Sequence, residues 1–119
     1  MQSGIDKLSA CEMMQLAAGN AVSVQEIAEA HLQRIAEREP LVRAWQHLEP
    51  AYVIAEAKRI DAVPKSERGP LHGLFIGIKD VFDTARMPTT YGSPAYRGNQ
   101  PRADAAVVMA ASNAQISIG

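Results

Sequence analysis

The run Leu74-Phe75-Ile76-Gly77-Ile78 is uncharged, rich in β-formers and closed by Lys79. A segment this short and this uniformly apolar suits a strand buried on both faces. Ile116 to Ile118 reads as the opening of a second buried strand. Between the two, Asp104 can cap a helix from Ala105 to about Asn113, with Val107, Ala111 and Ala114 on one side. Strand, helix and strand in that order imply a parallel β-helix-β unit, whose strands need cover on both faces. The expected fold class is therefore α/β, with helices packed on the start of a β-sheet. The residues available are too few to complete the cover, so the segment 1–119 is expected to be incomplete as a domain. Within it, residues 1–68 read as helical and residues 69–119 as strand-loop-helix-strand.

The helical cover is signalled locally. Ser9 with Glu12 and Ser23 with Glu26 both fit a capping box, in which hydroxyl and carboxylate each accept the other residue's backbone N–H. The first box opens a helix over Ala10 to Ala18, ended by Gly19-Asn20. The second opens a longer helix to about Arg38, with Val24, Ile27, Ala28, His31 and Ile35 on one face. Glu39-Pro40 is expected to stop it, because the residue before a proline avoids the helical region. Arg43 to Leu48 reads as a short strand, with Ala44, Gln46 and Leu48 alternating against Arg43, Trp45 and His47. Pro50 suits the first turn of a third helix carrying Val53, Ala57 and Ile60 inward. Pro64 to Gly69 reads as an exposed loop, and Asp83 to Arg102, broken by prolines and glycines, as mostly loop.

Composition narrows the function classes. A length of 119 residues suits one core. Aromatics make up only 5% and alanine is abundant, so burial per residue is thin. The net charge of −1 is well mixed along the chain, which argues against a nucleic-acid footprint. Cys11 is the only cysteine, so no internal disulfide can form; it reads as a small apolar side chain on a helix. No apolar run approaches the roughly 20 residues that span a membrane. Met1 to Ala10 lacks the basic and apolar regions of a signal peptide, and the expected location is cytoplasmic.

Gly69-Pro70-Leu71-His72-Gly73-Leu74-Phe75-Ile76-Gly77-Ile78-Lys79-Asp80 holds the candidate chemistry. A lysine is rarely placed inside unless it is paired or used, and burial turns the ammonium towards a base. The plainer alternative is a strand-end lysine reaching to solvent. A phosphate loop needs glycine before the lysine and Ser or Thr after it; Ile78 and Asp80 stand there instead. Asp80 reads as structural, hydrogen-bonded to nearby backbone. His31 reads as a packed core residue, and His72 as shaping the turn before the strand. No histidine pair has metal-ligand spacing, and no cofactor or metal is expected.

Gly-Pro-Leu-His-Gly followed by Ile-Gly-Ile-Lys-Asp resembles the segment of amidase-signature enzymes that carries the lysine of their catalytic triad. Leu8-Ser9-Ala10, Val24 to Ile35 and Arg43-Ala44-Trp45 resemble the family's opening helices and first strand, in the same order. Met87-Pro88-Thr89-Thr90-Tyr91-Gly92-Ser93 and Ala103-Asp104-Ala105-Ala106-Val107-Val108 are similar to its following loop and helix. The resemblance implies the N-terminal part of one α/β domain with a mixed central sheet. It implies a Ser-cisSer-Lys triad in which Lys79 is the neutral general base, held in a dry pocket. The substrate would be a small-molecule amide. No nucleic acid or membrane partner is implied, and a homo-oligomer is compatible with it.

One departure matters. The two serines of such a triad belong to a Gly/Ser-rich stretch well beyond the lysine, and these residues contain none. Ser93, Ser112 and Ser117 are the serines after Lys79, and none sits in a Gly-Ser-Ser or Gly-Gly-Ser setting. Where the family reads Gly-Lys-Thr after the second strand, the sequence stops at Gly119. The expectation is an N-terminal amidase fragment bearing only the general base and inactive alone. The alternatives are a non-catalytic binding or regulatory protein docking through exposed sheet edges, and a small enzyme pairing Lys79 with Ser93.

Overall fold

The structure, a computed structural model, describes residues 4–113 and 117–118. Three helices form first: α1 (Ala10–Ala18), α2 (Val24–Val42) and α3 (Pro50–Asp61). They are followed by strand β1 (Phe75–Ile76), helix α4 (Ala106–Asn113) and strand β2 (Ser117–Ile118).

Both capping boxes are present. At α1, the Ser9 amide donates to the Glu12 carboxylate at 2.7 Å and the Glu12 amide to Ser9 Oγ at 3.3 Å. At α2 the matching distances are 2.8 and 3.0 Å for Ser23 and Glu26. A third device is invisible to local patterning. Asp61, the last residue of α3, accepts the Val24 amide at 2.8 Å and the Gln25 amide at 3.0 Å. A carboxylate there satisfies orphan donors at the positive end of α2 and ties α3 to it.

Val24, Ile27 and Ala28 of α2 are buried, and His31 and Ile35 are half-buried on the same face. Val53, Ala57 and Ile60 of α3 are buried with Val24 and Ala28. Ile5, Met13, Ala17, Val22, Ile27 and Ala30 form a second cluster around α1. Phe75 of β1 packs against both clusters, so the strand is seated on the seam between them.

Four local expectations are corrected. α2 does not stop at Glu39-Pro40 but runs to Val42 and ends in a left-handed Arg43 (φ 51°), whose amide donates to the Glu39 carbonyl at 2.9 Å. Pro40 lies in the last turn, where it forfeits the ladder bond that an N–H there would give the Ala36 carbonyl, and the helix ends two residues later at Val42. Arg43 to Leu48 is not a strand: the amides of Ala44 and Trp45 donate to the Glu39 carboxylate and cannot enter a ladder. β1 is two residues long, not five, and is half-buried rather than enclosed on both faces. In α4 the buried residue is Val108 (3% exposed), whereas Val107, expected inward, is 58% exposed. Ala111, three residues beyond Val108, is half-buried, which sets the inner stripe.

β1 and β2 pair in parallel, Phe75 opposite Ser117 and Ile76 opposite Ile118, with α4 in the crossover between them. The strand-helix-strand order expected from the sequence is therefore present as one parallel pair, while Ala114 and Ile116 lie outside the described residues. Val81, Phe82, Val107 and Met109 are large apolar side chains about half exposed, the uncovered surface expected of an α/β unit with few cover residues. No helix among the described residues is long and apolar enough to cross a membrane.

Candidate active site

The turn that launches β1 is packed tightly. The His72 amide donates to the Gly69 carbonyl at 3.2 Å, His72 is buried, and Gly73 adopts φ +88°. A Cβ at Gly73 would lie 3.0 Å from Ala17 Cβ, a tight contact, on a backbone that strains any L side chain, so both the turn and the approach of α1 favour glycine. Two residues before Lys79, Gly77 lies beneath the indole of Trp45; a Cβ there would sit 3.0 Å from Trp45 Cη2. Gly73 and Gly77 of the motif are thus explained by close approach on either side of the strand.

After Lys79 the chain folds over its own carbonyl, which accepts the amides of Val81 at 2.7 Å and Phe82 at 3.1 Å. Asp80 then clasps the downstream loop. Its carboxylate accepts the Thr90 amide at 2.7 Å and the Thr90 hydroxyl. Burial pushes the Asp80 pKa up, but the Thr90 hydroxyl and amide and the amides of Gly92 and Tyr91 outweigh it, and the net shift is downward. Tyr91 (φ 54°) and Gly92 (φ 72°) are both left-handed, which turns successive amides towards the anion. This clasp is the physical link between the Lys-Asp and Thr-Thr-Tyr-Gly blocks. The loop is pinned further by two buried threonines: Thr89 Oγ1 accepts the Thr84 amide at 3.3 Å, and Thr84 Oγ1 donates to the Met87 carbonyl at 3.1 Å.

Because its folded-state pKa is lowered, the Asp80 clasp stabilises fully above the ordinary carboxylate value of 3.8 and is lost as pH falls through the lower folded value. Asp80→Asn should therefore lower the urea midpoint at pH 7, by about 1.5–3 kcal/mol for charged hydrogen bonds before solvent screening reduces it. At a pH below the folded value the variant and parent midpoints should converge. Equal midpoints at pH 7 would contradict the clasp.

An open cavity of about 480 Å³ is lined by Trp45, His47, Ile78, Lys79, Asp80, Phe82, Thr84, Met87 and Thr89, among others. Lys79 is an exposed residue on its wall. The dry pocket expected around its amine is not built by the described residues; the geometry here matches the plainer strand-end lysine. Ser93 does not line the cavity, and its hydroxyl accepts the Ala95 amide at 3.3 Å in a turn of 3-10 helix, which argues against a Lys79–Ser93 pair. His31 is half-buried, edge-on to Phe75 with centroids 5.7 Å apart. Burial lowers its pKa, with Asp6 opposing. Among the described residues, no group of three or more His, Cys, Asp or Glu is placed to hold a metal ion. Sequence reasoning missed Glu39, Thr84 and Thr89 as builders of the site, and placed Trp45 on a strand.

The amidase family model matches residues 26–118, a stretch that includes β1, Lys79, the Asp80 clasp and α4. The chain belongs to the amidase signature family. Among its relatives, a glutamyl-tRNA(Gln) amidotransferase subunit from Acidothermus cellulolyticus is 38% identical over 118 residues, covering 98% of this chain and 23% of the relative. The corresponding amidotransferase subunit from Chloroflexus aurantiacus is 43% identical over 95 residues, covering 78% of this chain and 19% of the relative. Among solved structures, one described as "An unexpected vestigial protein complex reveals the evolutionary origins of an s-triazine catabolic enzyme" superposes with a TM-score of 0.86 at 26% identity. That match covers 93% of this amidase-family chain and 25% of the other. The chain thus spans about a quarter of the length of the relatives it matches.

Proposed function

We propose that this chain supplies the general-base lysine of an amide-bond hydrolase with a Ser-cisSer-Lys triad. The observation that carries the reading is the placement of Lys79. It stands at the exit of β1, on a cavity wall, between the Trp45–Gly77 contact and the Asp80 clasp. Membership of the amidase family supports the assignment of that lysine to proton transfer. In this mechanism the Lys79 amine takes a proton through the cis-peptide serine from the nucleophilic serine. The nucleophile attacks the amide carbonyl, backbone N–H groups hold the oxyanion, and an acyl-enzyme forms as ammonia or an amine leaves. Water then releases the acid. No cofactor enters any step.

Both serines must come from outside the 119 residues, since no Gly/Ser-rich stretch occurs among them. The same missing part would extend the β1–β2 pair into a mixed sheet, complete the α/β domain and exclude water around Lys79. The substrate class is small-molecule amides, in the cytoplasm. A second reading, a non-catalytic binding or regulatory protein, is favoured only by the exposed apolar side chains near the strands.

By this reading the 119-residue chain is inert alone. Incubation with a fluorophosphonate probe should leave its intact mass unchanged. A stoichiometric adduct, lost on Ser93→Ala, would replace the triad with the small-enzyme alternative.

A further inference from the structure

We infer that Glu39 is a positioning residue for the Lys79 site, acting through Trp45; the catalytic significance rests on the triad reading, the positioning itself does not. Glu39 lies in the last turn of α2, where the helix dipole disfavours a carboxylate, and that turn carries no basic residue to offset it. Its carboxylate is held there by the backbone beyond the helix, accepting the Trp45 amide at 3.0 Å and the Ala44 amide. Its carbonyl accepts the Arg43 amide at 2.9 Å, so one residue gathers three successive amides. The turn they define needs a left-handed Arg43 (φ 51°). Its product is the placement of Trp45 across Gly77, with the indole forming cavity wall beside Lys79. The chain of contacts runs from a helix end, through a side-chain clasp, to the backbone that carries the lysine. A ring packed against Gly77 limits the directions in which the Gly77-Ile78-Lys79 segment can move.

Trp45 is the sole tryptophan of the sequence, so its fluorescence reports this wall alone. In the 119-residue chain, Glu39→Gln keeps shape but weakens the charge-assisted acceptance of two amides. The expected result is emission shifted to longer wavelength and stronger acrylamide quenching, with the far-UV circular dichroism unchanged. Gly77→Ala, which leaves Glu39 intact, should displace the ring and shift emission in the same sense. In the unmodified chain, amide exchange at Ala44 and Trp45 should be slow although both residues are exposed. Unshifted emission in Glu39→Gln, or rapid exchange of both amides in the parent, overturns the inference. Should Glu39→Gln lose its helical signal, parent exchange and Gly77→Ala emission decide. These readouts contain no catalysis, so failure of the triad reading leaves them unaffected and their failure leaves Lys79 as a candidate base.

Discussion

Lys79→Ala should remove amide hydrolysis, by about 10²- to 10⁴-fold in kcat, from a chimera carrying residues 26–118 of this chain in a full-length amidase-family enzyme. The size of the effect is that of losing a general base while substrate binding and oxyanion stabilisation remain. Lys79→Arg should fail to rescue, because a guanidinium stays protonated and cannot accept the proton. The exposure of Lys79 in the described structure makes the test clean. Truncating an exposed side chain ordinarily changes stability by no more than about 0.5 kcal/mol. The melting transition of the isolated chain should therefore be unmoved by Lys79→Ala, and the chimera's own melting transition, measured beside its activity, separates loss of the base from unfolding.

The largest stability effect is expected at Ile60. Its side chain is fully buried with Val24, Ala28, Val53 and Ala57, where α3 meets α2. Ile60→Ala should cost about 2–5 kcal/mol, the upper part of that range being favoured because Ala28 and Ala57 have no atoms with which to refill the space. Against a total stability of about 5–15 kcal/mol for an ordinary domain, that is a large share. Ile60→Val should cost about 0.5–1.5 kcal/mol, and Leu41→Ala, at a residue 81% exposed, should be nearly silent. Urea denaturation of the three variants gives the ranking. A cost at Leu41 equal to that at Ile60 would contradict the assigned core.

The sequence was legible where the signal is local. Ser9–Glu12, Ser23–Glu26 and Pro50 act on backbone groups within one turn, and each opens the helix it predicts. Reading failed where a side chain reaches beyond its own turn. Glu39 removes two amides from the ladder that Arg43 to Leu48 was expected to join. Asp61 caps a helix whose start lies 37 residues earlier. Apolar alternation cannot reveal either bond. The inward residue of α4 was missed for a related reason: Val107 and Val108 are equivalent in composition, and the helix phase is fixed by tertiary contacts. At the site, the Lys-Asp and Thr-Thr-Tyr-Gly blocks were both visible, but their joint function as two halves of one clasp needed coordinates. The dry pocket expected around Lys79 is not built by the described residues, where the cavity is open and the lysine exposed.

If Lys79 activates a serine, the rate of covalent labelling of that serine depends on it, with neither substrate binding nor product release intervening. The chimera should react with a fluorophosphonate at the family nucleophile, and Lys79→Ala should slow that reaction by about 10²- to 10⁴-fold. Equal labelling rates in parent and variant would show that the lysine three residues beyond β1 takes no part in the chemistry.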